Sequence, residues 1–199
     1  MQINRRRSYW ARSHQSRQLQ HNLPLALDRS ETQSRSAANI DLRSNGFAQN
    51  GSIPSRFSEY ADGVSPALIW SPVPNAQSYV LIMEDPDAKP ITPFVHWLAW
   101  NIPGHVTQLP EGLQEQLRLT EPDGVLQGQT TRGSPGYYGP RPPVGDRDHR
   151  YHFQILALDT VLDLPAGADR EKLLKAVEGH VIGKGNLVGT YRQTVQPLK

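Results

Sequence analysis

Continuous apolar runs mark the second half of the chain. They cover residues 78–83, 94–100 and 151–158, and a shorter run covers 187–191. Runs of this length that are bounded by proline and glycine are typical of buried strands. The many prolines between them predict turns. We therefore predict a mainly β protein, with an antiparallel two-sheet architecture.

One segment has the pattern of a helix. Asp169 is a good N-cap, and Leu173, Leu174 and Val177 form an apolar stripe behind it. Gly179 provides the stop. The sequence thus predicts one peripheral helix near the C-terminus.

The N-terminal part of the chain has a different composition. Residues 1–37 are rich in Arg, Ser and Gln and have no sustained apolar period. We predict that they form a disordered extension and that the folded domain spans residues 38–199. Removal of the extension should then leave the melting temperature unchanged. An organellar transit peptide or a nucleic-acid-binding arm has a similar composition, but a solvated extension without function is favoured.

Charge and composition narrow the function classes. Residues 1–45 hold eight arginines and three carboxylates, whereas the remainder holds 13 basic and 16 acidic residues. The folded part is therefore not basic, and no nucleic-acid partner is expected. The chain has no cysteine, which excludes disulfides and thiolate metal sites. No apolar h-region follows Arg5–Arg7 and no apolar run reaches about 18 residues, so we expect a cytoplasmic protein.

Polar residues cluster where the predicted strands begin and end. Asp85 follows the 78–83 run, and His96 begins the next one. Because side chains two residues apart share a face of a strand, His149 and Tyr151 point to one side and His152 to the other. Loops converge at the ends of strands, so a shared pocket is expected there.

Several chemistries could use such a pocket. Asp85, His96 and His149 could supply three zinc ligands, but no closely spaced ligand pair occurs, and no metal or cofactor is predicted. A serine hydrolase lacks its nucleophile motif, because residues 133–136 have the wrong spacing. Residues 179–184 resemble a phosphate-binding loop but are one residue short, and a helix stop explains them better.

The remaining interpretation is a pocket for a small anion. Histidine N–H groups and a tyrosine hydroxyl donate hydrogen bonds to phosphate-type oxygens. Asp85 would orient a histidine and raise its pKa. The proline-rich loop at 135–143 would lose little entropy on closing around a ligand.

At these residues the chain resembles a known family. Asp85-Pro-Asp-Ala, His96-Trp97 and the stretch 139–151, Gly-Pro-Arg-Pro-Pro-x-Gly-Asp…His-Arg-Tyr, are similar to the motifs of phosphatidylethanolamine-binding proteins, also called the Raf kinase inhibitor-like family. Leu187-Val-Gly-Thr-Tyr-Arg resembles the bacterial branch. The resemblance covers roughly residues 40–199.

The resemblance implies a two-sheet β fold with peripheral helices and a pocket that accepts phosphate, acetate or a phospholipid headgroup. Carried over by position, the ligand-binding residues are Asp85, Pro90, His96, His149 and Tyr151. Pro90 takes the place of the family proline, with Lys89 inserted before it. One departure is Thr130, which stands where the family pattern has asparagine and affects a loop hydrogen bond.

Our leading hypothesis is a non-enzymatic module that binds a small anionic ligand. Family analogy adds modulation of a protein kinase or protease. One alternative is a hydrolase that uses His96 or His149 as general base. Another is an interaction module that reads a phosphorylated side chain.

Overall fold

The computed structural model describes residues 24–34, 37–88 and 92–194. Most of this part of the chain is β-strand and loop. In chain order the strands are β1 (Ala38–Asn39), β2 (Leu42–Ser44), β3 (Gly51–Ser52), β4 (Leu68–Trp70), β5 (Ser78–Asp85), β6 (Phe94–Pro103), β7 (Gln108–Leu109), β8 (Leu126–Gln127), β9 (His149–Leu158) and β10 (Val181–Tyr191). One α-helix, α1 (Arg170–Val177), and three 3-10 turns at Ala26–Asp28, Ser30–Thr32 and Ser55–Phe57 complete the described elements.

The strands form two sheets. The larger has seven described strands in the order β1-β10-β9-β5-β6-β8, with β3 also paired to β10, and the smaller has the order β2-β4-β7. The long central strands pair antiparallel, as predicted, whereas the short β1 and β3 pair parallel to β10. The predicted mainly β, two-sheet fold is confirmed.

Side chains alternate between two cores across the large sheet. Tyr151, Phe153 and Ile155 of β9 face the smaller sheet and belong to the core between the sheets. Leu156 and Leu158 face the opposite side and pack with α1. Strand alternation therefore assigns each face as the period of two requires.

Helix α1 begins and ends close to the predicted positions. The Asp169 side chain accepts a hydrogen bond from the backbone N–H of Lys172 at 2.9 Å and caps the first turn. Leu173, Leu174 and Val177 are buried against the large sheet. Gly179 has φ +82° and allows the chain to turn into β10. This stop-and-turn explains residues 179–184 without a phosphate-binding loop.

The predicted disordered extension is wrong over residues 24–34, which pack on the helix-covered face of the large sheet. The Ala26 N–H donates to Oε2 of Glu84 at 2.8 Å, and the Leu27 N–H donates to Oε1 of Gln154 at 2.9 Å. Ala26 and Thr32 are fully buried. The segment is held by backbone groups that meet buried polar side chains, and by Ala26 and Leu27, which pack in the hydrophobic core on this face. The rest of the predicted extension is outside the described residues, apart from residue 37.

Glu84 is the centre of this contact. It is fully buried, as is Gln154, whose Nε2 donates to it at 2.7 Å. Nε of Arg170, at the start of α1, also donates to Glu84, and the Arg170 side chain is only 8% exposed. A guanidinium of Arg170 further donates to the Pro24 carbonyl at 3.0 Å. The N-terminal segment, the sheet and α1 are thus joined by one buried polar network.

Within the described residues, no helix is long and apolar enough to cross a bilayer.

Candidate functional site

The structure brings four of the five predicted site residues to one cavity. Asp85, His96, His149 and Tyr151, which we call the pocket floor, line a cavity of about 480 Å³. Pro90, the fifth, lies outside the described residues. The other lining residues are Phe94, at the start of β6, and loop residues around the cavity, namely Tyr60, Ala88, Thr131, Arg132, Tyr138, Arg141, Pro142, Pro143 and Asp146.

A β-bulge directs His96 toward the cavity. On β6, Trp97 pairs with Met83 and Val95 pairs with Glu84, so His96 between them is the extra residue. Simple alternation along β6 would place His96 on the same side as Leu98, which faces α1. The inserted residue changes the phase of the strand, a frequent device next to functional sites. The bulge therefore puts His96 on the cavity side.

Asp85 is fixed by its own turn. It is the last residue of β5, and its Oδ1 accepts hydrogen bonds from the N–H groups of Asp87 at 2.8 Å and Ala88 at 3.1 Å. Such a turn is typical of aspartate at the end of a strand. The second oxygen, Oδ2, lies 2.7 Å from Nδ1 of His149. The carboxylate is therefore preorganised to accept a proton-bearing nitrogen.

His149 is the histidine that Asp85 polarises. Burial lowers the pKa of His149 and is the largest single influence, but the hydrogen bond and charge of Asp85 outweigh it, with smaller contributions from Asp146 and Asp87. The net pKa lies above the ordinary 6.5. Nδ1–H donates to Asp85, and Nε2 lies 3.6 Å from Oδ2 of Asp146. When protonated, His149 offers Nε2–H on its other edge.

His96 has the opposite character. Burial lowers the pKa of His96 to about 4, against the opposing charge of Asp85. Its Nδ1 lies 2.7 Å from the Tyr138 carbonyl, which can only accept, so Nδ1 carries the proton. Nε2 of the neutral ring is then a lone-pair acceptor. Neutral His96 therefore presents an acceptor to the cavity, whereas protonated His149 would present a donor.

Tyr151 lies between the two histidines. Its ring makes an edge contact with His96 at 5.1 Å between centroids and stacks with His149 at 6.5 Å. The side chain is fully buried, and its hydroxyl has no hydrogen-bond partner among the described residues. Burial raises the pKa of this phenol, with a further contribution from the charge of Asp85, so the hydroxyl keeps its proton. A buried donor without a partner is rare in folded proteins.

The loop 137–143 closes the cavity and is tied to the segment around Ser55–Phe57. Gly139 donates its N–H to Oε1 of Glu59 at 2.8 Å, and the Tyr60 hydroxyl donates to the Pro142 carbonyl at 2.7 Å. A Cβ at Gly139 would lie 2.3 Å from the Phe57 carbonyl oxygen, so only glycine fits this approach. Two prolines of this loop, Pro142 and Pro143, line the cavity.

Two arginines on the loops, Arg132 and Arg141, form what we call the pocket mouth. The Arg132 guanidinium lies 5.1 Å above the Tyr138 ring, and that of Arg141 lies 5.9 Å from the Tyr60 ring. Sequence reasoning did not assign either residue to the site, nor Tyr138. Arg141 stands inside the Gly-Pro-Arg-Pro-Pro motif, which was the available signal; Arg132 and Tyr138 carry no comparable pattern.

His152 lies on the far face of β9, as strand alternation predicts. It pairs in register with Glu84, and its Nδ1 meets Asn186 at 3.3 Å. Burial lowers the pKa of His152, with the charge of Arg150 acting in the same direction. It does not line the cavity.

The zinc alternative gains no support from the arrangement. Asp85, His96 and His149 share the cavity, yet no group of three His, Cys, Asp or Glu side chains in the described part of the chain is placed to hold a metal ion. The third carboxylate of the region, Asp87, is occupied by Arg150, whose Nε lies 2.8 Å from Oδ2, and by Arg147 at 3.0 Å. These two arginines stabilise the loop after β5.

Comparison with known proteins agrees with the fold. The family model described as phosphatidylethanolamine-binding protein matches residues 43–192. A UPF0098 protein of Methanothermobacter thermautotrophicus is 46% identical over 155 residues, which cover 77% of this chain and 99% of that protein. A UPF0098 protein of Chlamydia trachomatis is 39% identical over 159 residues, covering 77% of this chain and 99% of its own length.

Solved structures give the same result. The crystal structure of a phosphatidylethanolamine-binding protein homolog from Chlamydia trachomatis is similar with a TM-score of 0.70 and 38% identity, covering 79% of this chain and 99% of that one. The crystal structure of Escherichia coli YbcL, described as a new member of the mammalian family, is similar with a TM-score of 0.72 and 26% identity. The match covers 78% of this chain and 99% of that one. On these matches, the chain belongs to the phosphatidylethanolamine-binding protein family.

Proposed function

We propose that this protein is a non-enzymatic binding module whose pocket holds a small anionic group such as phosphate, acetate or a phospholipid headgroup. The observation that carries the proposal is the Tyr151 hydroxyl, a buried donor without a partner among the described residues and beside the cavity. An anionic oxygen would supply the missing acceptor. A buried polar group left unpaired costs about 1–3 kcal/mol, so a ligand that pairs it gains that amount on binding.

His149 supplies the second interaction of the proposal. Its pKa is raised above 6.5 by Asp85 despite burial, so the imidazolium persists to a higher pH than in an ordinary histidine. Hydrogen bonds from charged donors are roughly twice as strong as neutral ones. Neutral His96 offers an acceptor, which suits a ligand oxygen that carries a proton, such as that of a monoprotonated phosphate.

Replacing Tyr151 with Phe tests the proposal directly. We expect phosphate affinity to fall by about 10- to 100-fold, the value of one hydrogen bond to a charged group, while the melting temperature of the unliganded protein stays the same or rises. Calorimetric titration and thermal unfolding measure the two quantities.

Tyr137→Phe is the matched control. The Tyr137 hydroxyl is also buried but donates to the Phe57 carbonyl at 2.8 Å and does not line the cavity. Its loss should lower stability and leave affinity unchanged. If Tyr151→Phe lowers stability and spares affinity, the hydroxyl serves the fold and the proposal is wrong.

The charge of His149 predicts a pH dependence. Sulfate does not titrate between pH 5.5 and 8.5, so any change in its affinity reports on the protein. Because the pKa of His149 is raised, the imidazolium is present below that pKa and is lost as the pH rises through it. Sulfate affinity should therefore be highest at low pH and decline above about pH 6.5. His96, with a pKa of about 4, stays neutral throughout.

Calorimetry across this range on the wild type and two variants checks the assignment. His149→Gln should bind sulfate weakly and without pH dependence, whereas His152→Gln, altered on the far face, should keep the wild-type profile. A flat wild-type profile would show that the anion is held by neutral donors alone.

The hydrolase alternative uses the same pair of residues. Asp85 and His149 have the arrangement of a general base and its orienting carboxylate, with Nε2 directed away from Asp85. Steady release of product from p-nitrophenyl phosphate or p-nitrophenyl acetate, abolished by His149→Gln, would replace the binding proposal.

Modulation of a protein kinase or protease, and recognition of a phosphorylated side chain, are effects that a bound anionic group would mediate. If the pocket serves them, a phosphoserine peptide should compete with inorganic phosphate, and Tyr151→Phe should weaken both. A peptide that binds without displacing phosphate would place such a partner elsewhere on the surface.

A further inference from the structure

The charged residues that line the cavity lie next to different rings. Asp146 lies next to His149, with its Oδ2 at 3.6 Å from Nε2. The cations of the pocket mouth, Arg132 and Arg141, lie next to the Tyr138 and Tyr60 rings. A ligand in the cavity therefore has an acidic neighbour beside His149 and two guanidinium groups beside the two tyrosines.

Both mouth arginines are held in place without a carboxylate. Arg132 stacks on the Tyr138 ring at 5.1 Å, and a hydrogen bond to Tyr138 raises the pKa of Arg141. Glu59 adds a weaker electrostatic interaction with Arg141, but one of its oxygens accepts the Gly139 N–H. Among residues 24–34, 37–88 and 92–194, no carboxylate oxygen lies within 4.0 Å of a nitrogen of Arg132 or Arg141.

Other arginines near the site are paired with a carboxylate, in contrast to these two. Asp87 accepts from both Arg147 and Arg150 with N–O distances of 2.8 to 3.0 Å, and its side chain is 2% exposed. Among the described residues that line the cavity, the pocket mouth is thus where cationic charge is available to a ligand.

The mouth and the floor are within reach of one small molecule. Tyr138 stacks with His96 at 5.7 Å between centroids on the floor side and contacts both mouth arginines. One aromatic residue therefore contacts both groups, and both groups line the same cavity.

We propose that Arg132 and Arg141 form a second anion subsite, and that the preferred ligand is a small phosphate monoester carrying a further carboxylate or phosphate a few atoms away. This inference rests on the proposed function, because it takes the first anionic group to occupy the pocket floor. Guanidinium groups bind carboxylate and phosphate oxygens through paired N–H donors. An ammonium group in the same position would be repelled.

O-phosphoserine and O-phosphoethanolamine are the sharpest probes, since they differ only in one carboxylate. Both carry the ammonium that Asp146 could attract, so their comparison isolates the second anion. We expect O-phosphoserine to bind about five- to tenfold more tightly, as for a partly exposed pair of ionic contacts. Competitive calorimetry against inorganic phosphate measures both affinities under one condition.

The variant R132Q/R141Q should reduce this ratio to about one while retaining binding of inorganic phosphate. The control R43Q/R118Q removes the same charge from two exposed arginines that do not line the cavity, and it should keep the wild-type ratio. This control separates a local subsite from a change in net charge.

Two outcomes overturn the inference alone: the two probes bind equally to the wild type, or the preference for O-phosphoserine persists in R132Q/R141Q. In either case inorganic phosphate still binds and the proposed function stands. If inorganic phosphate itself fails to bind the wild type, the proposed function fails and the subsite with it. A preference for O-phosphoserine that only R132Q/R141Q removes establishes the subsite.

Discussion

Replacing Glu84 with Ala should lower the free energy of unfolding by about 3–5 kcal/mol, the range for removing one partner of a buried ion pair. Glu84 is fully buried and accepts hydrogen bonds from Arg170, from Nε2 of Gln154 and from the Ala26 N–H. Its removal would leave the Arg170 guanidinium, whose side chain is 8% exposed, without its buried counter-ion. Urea unfolding followed by circular dichroism measures the change.

A matched control is Glu111→Ala. Glu111 also pairs with an arginine, Arg56, but the pair is exposed on both sides, and such pairs contribute at most about 1 kcal/mol. Glu84→Gln keeps an acceptor oxygen without the charge and should lose less than Glu84→Ala, which gives a measurable variant if the alanine protein does not fold. Equal small losses for Glu84→Ala and Glu111→Ala would mean that the buried network contributes no more to stability than an exposed ion pair does.

Removal of residues 1–34 should destabilise the domain by about 2–4 kcal/mol, because it takes away hydrogen bonds to the buried Glu84 and Gln154. The exposed pair between Arg29 and Glu171 is lost as well, with a smaller effect. This result reverses what composition alone predicts for the whole 1–37 segment. Thermal unfolding of the truncated protein, compared with the full chain, measures it.

Removal of residues 1–23 is the control for that experiment. Residues 1–23 have the Arg-, Ser- and Gln-rich composition of the predicted extension, and we expect their loss to leave the melting temperature nearly unchanged. The informative comparison is between the two truncations. If both leave the melting temperature unchanged, residues 24–34 do not contribute to stability, and the network around Glu84 is complete without them.

The sequence by itself determined the central strands, the helix and the partition of β9. Runs of apolar residues identified β5, β6 and β9, because a strand that is buried on both faces is apolar at successive positions. Asp169 identified the start of α1 through its cap. The period of two separated Tyr151 from His152 correctly, since β9 has no irregularity between them.

Only the tertiary structure decided which way His96 points and in which direction the pKa values of His96 and His149 are shifted. A bulge depends on the pairing of β6 with β5, which residue spacing within β6 does not encode. The pKa of His96 depends on burial and on the Tyr138 carbonyl, and that of His149 on burial and Asp85. These partners come from distant segments, so the same residue type acquires opposite protonation behaviour.

The anchoring of the N-terminal segment, residues 24–34, also depends on tertiary contacts. Its contacts with Glu84 and Gln154 use backbone N–H groups, which every residue except proline possesses. No pattern of side chains therefore predicts these two contacts. The local sequence determined where the chain forms strands and where it forms a helix, because those preferences are set by residues that are close in sequence. Long-range pairing decided the charge state of the pocket floor, the placement of the pocket mouth and the anchoring of residues 24–34, because each depends on groups that meet only after folding.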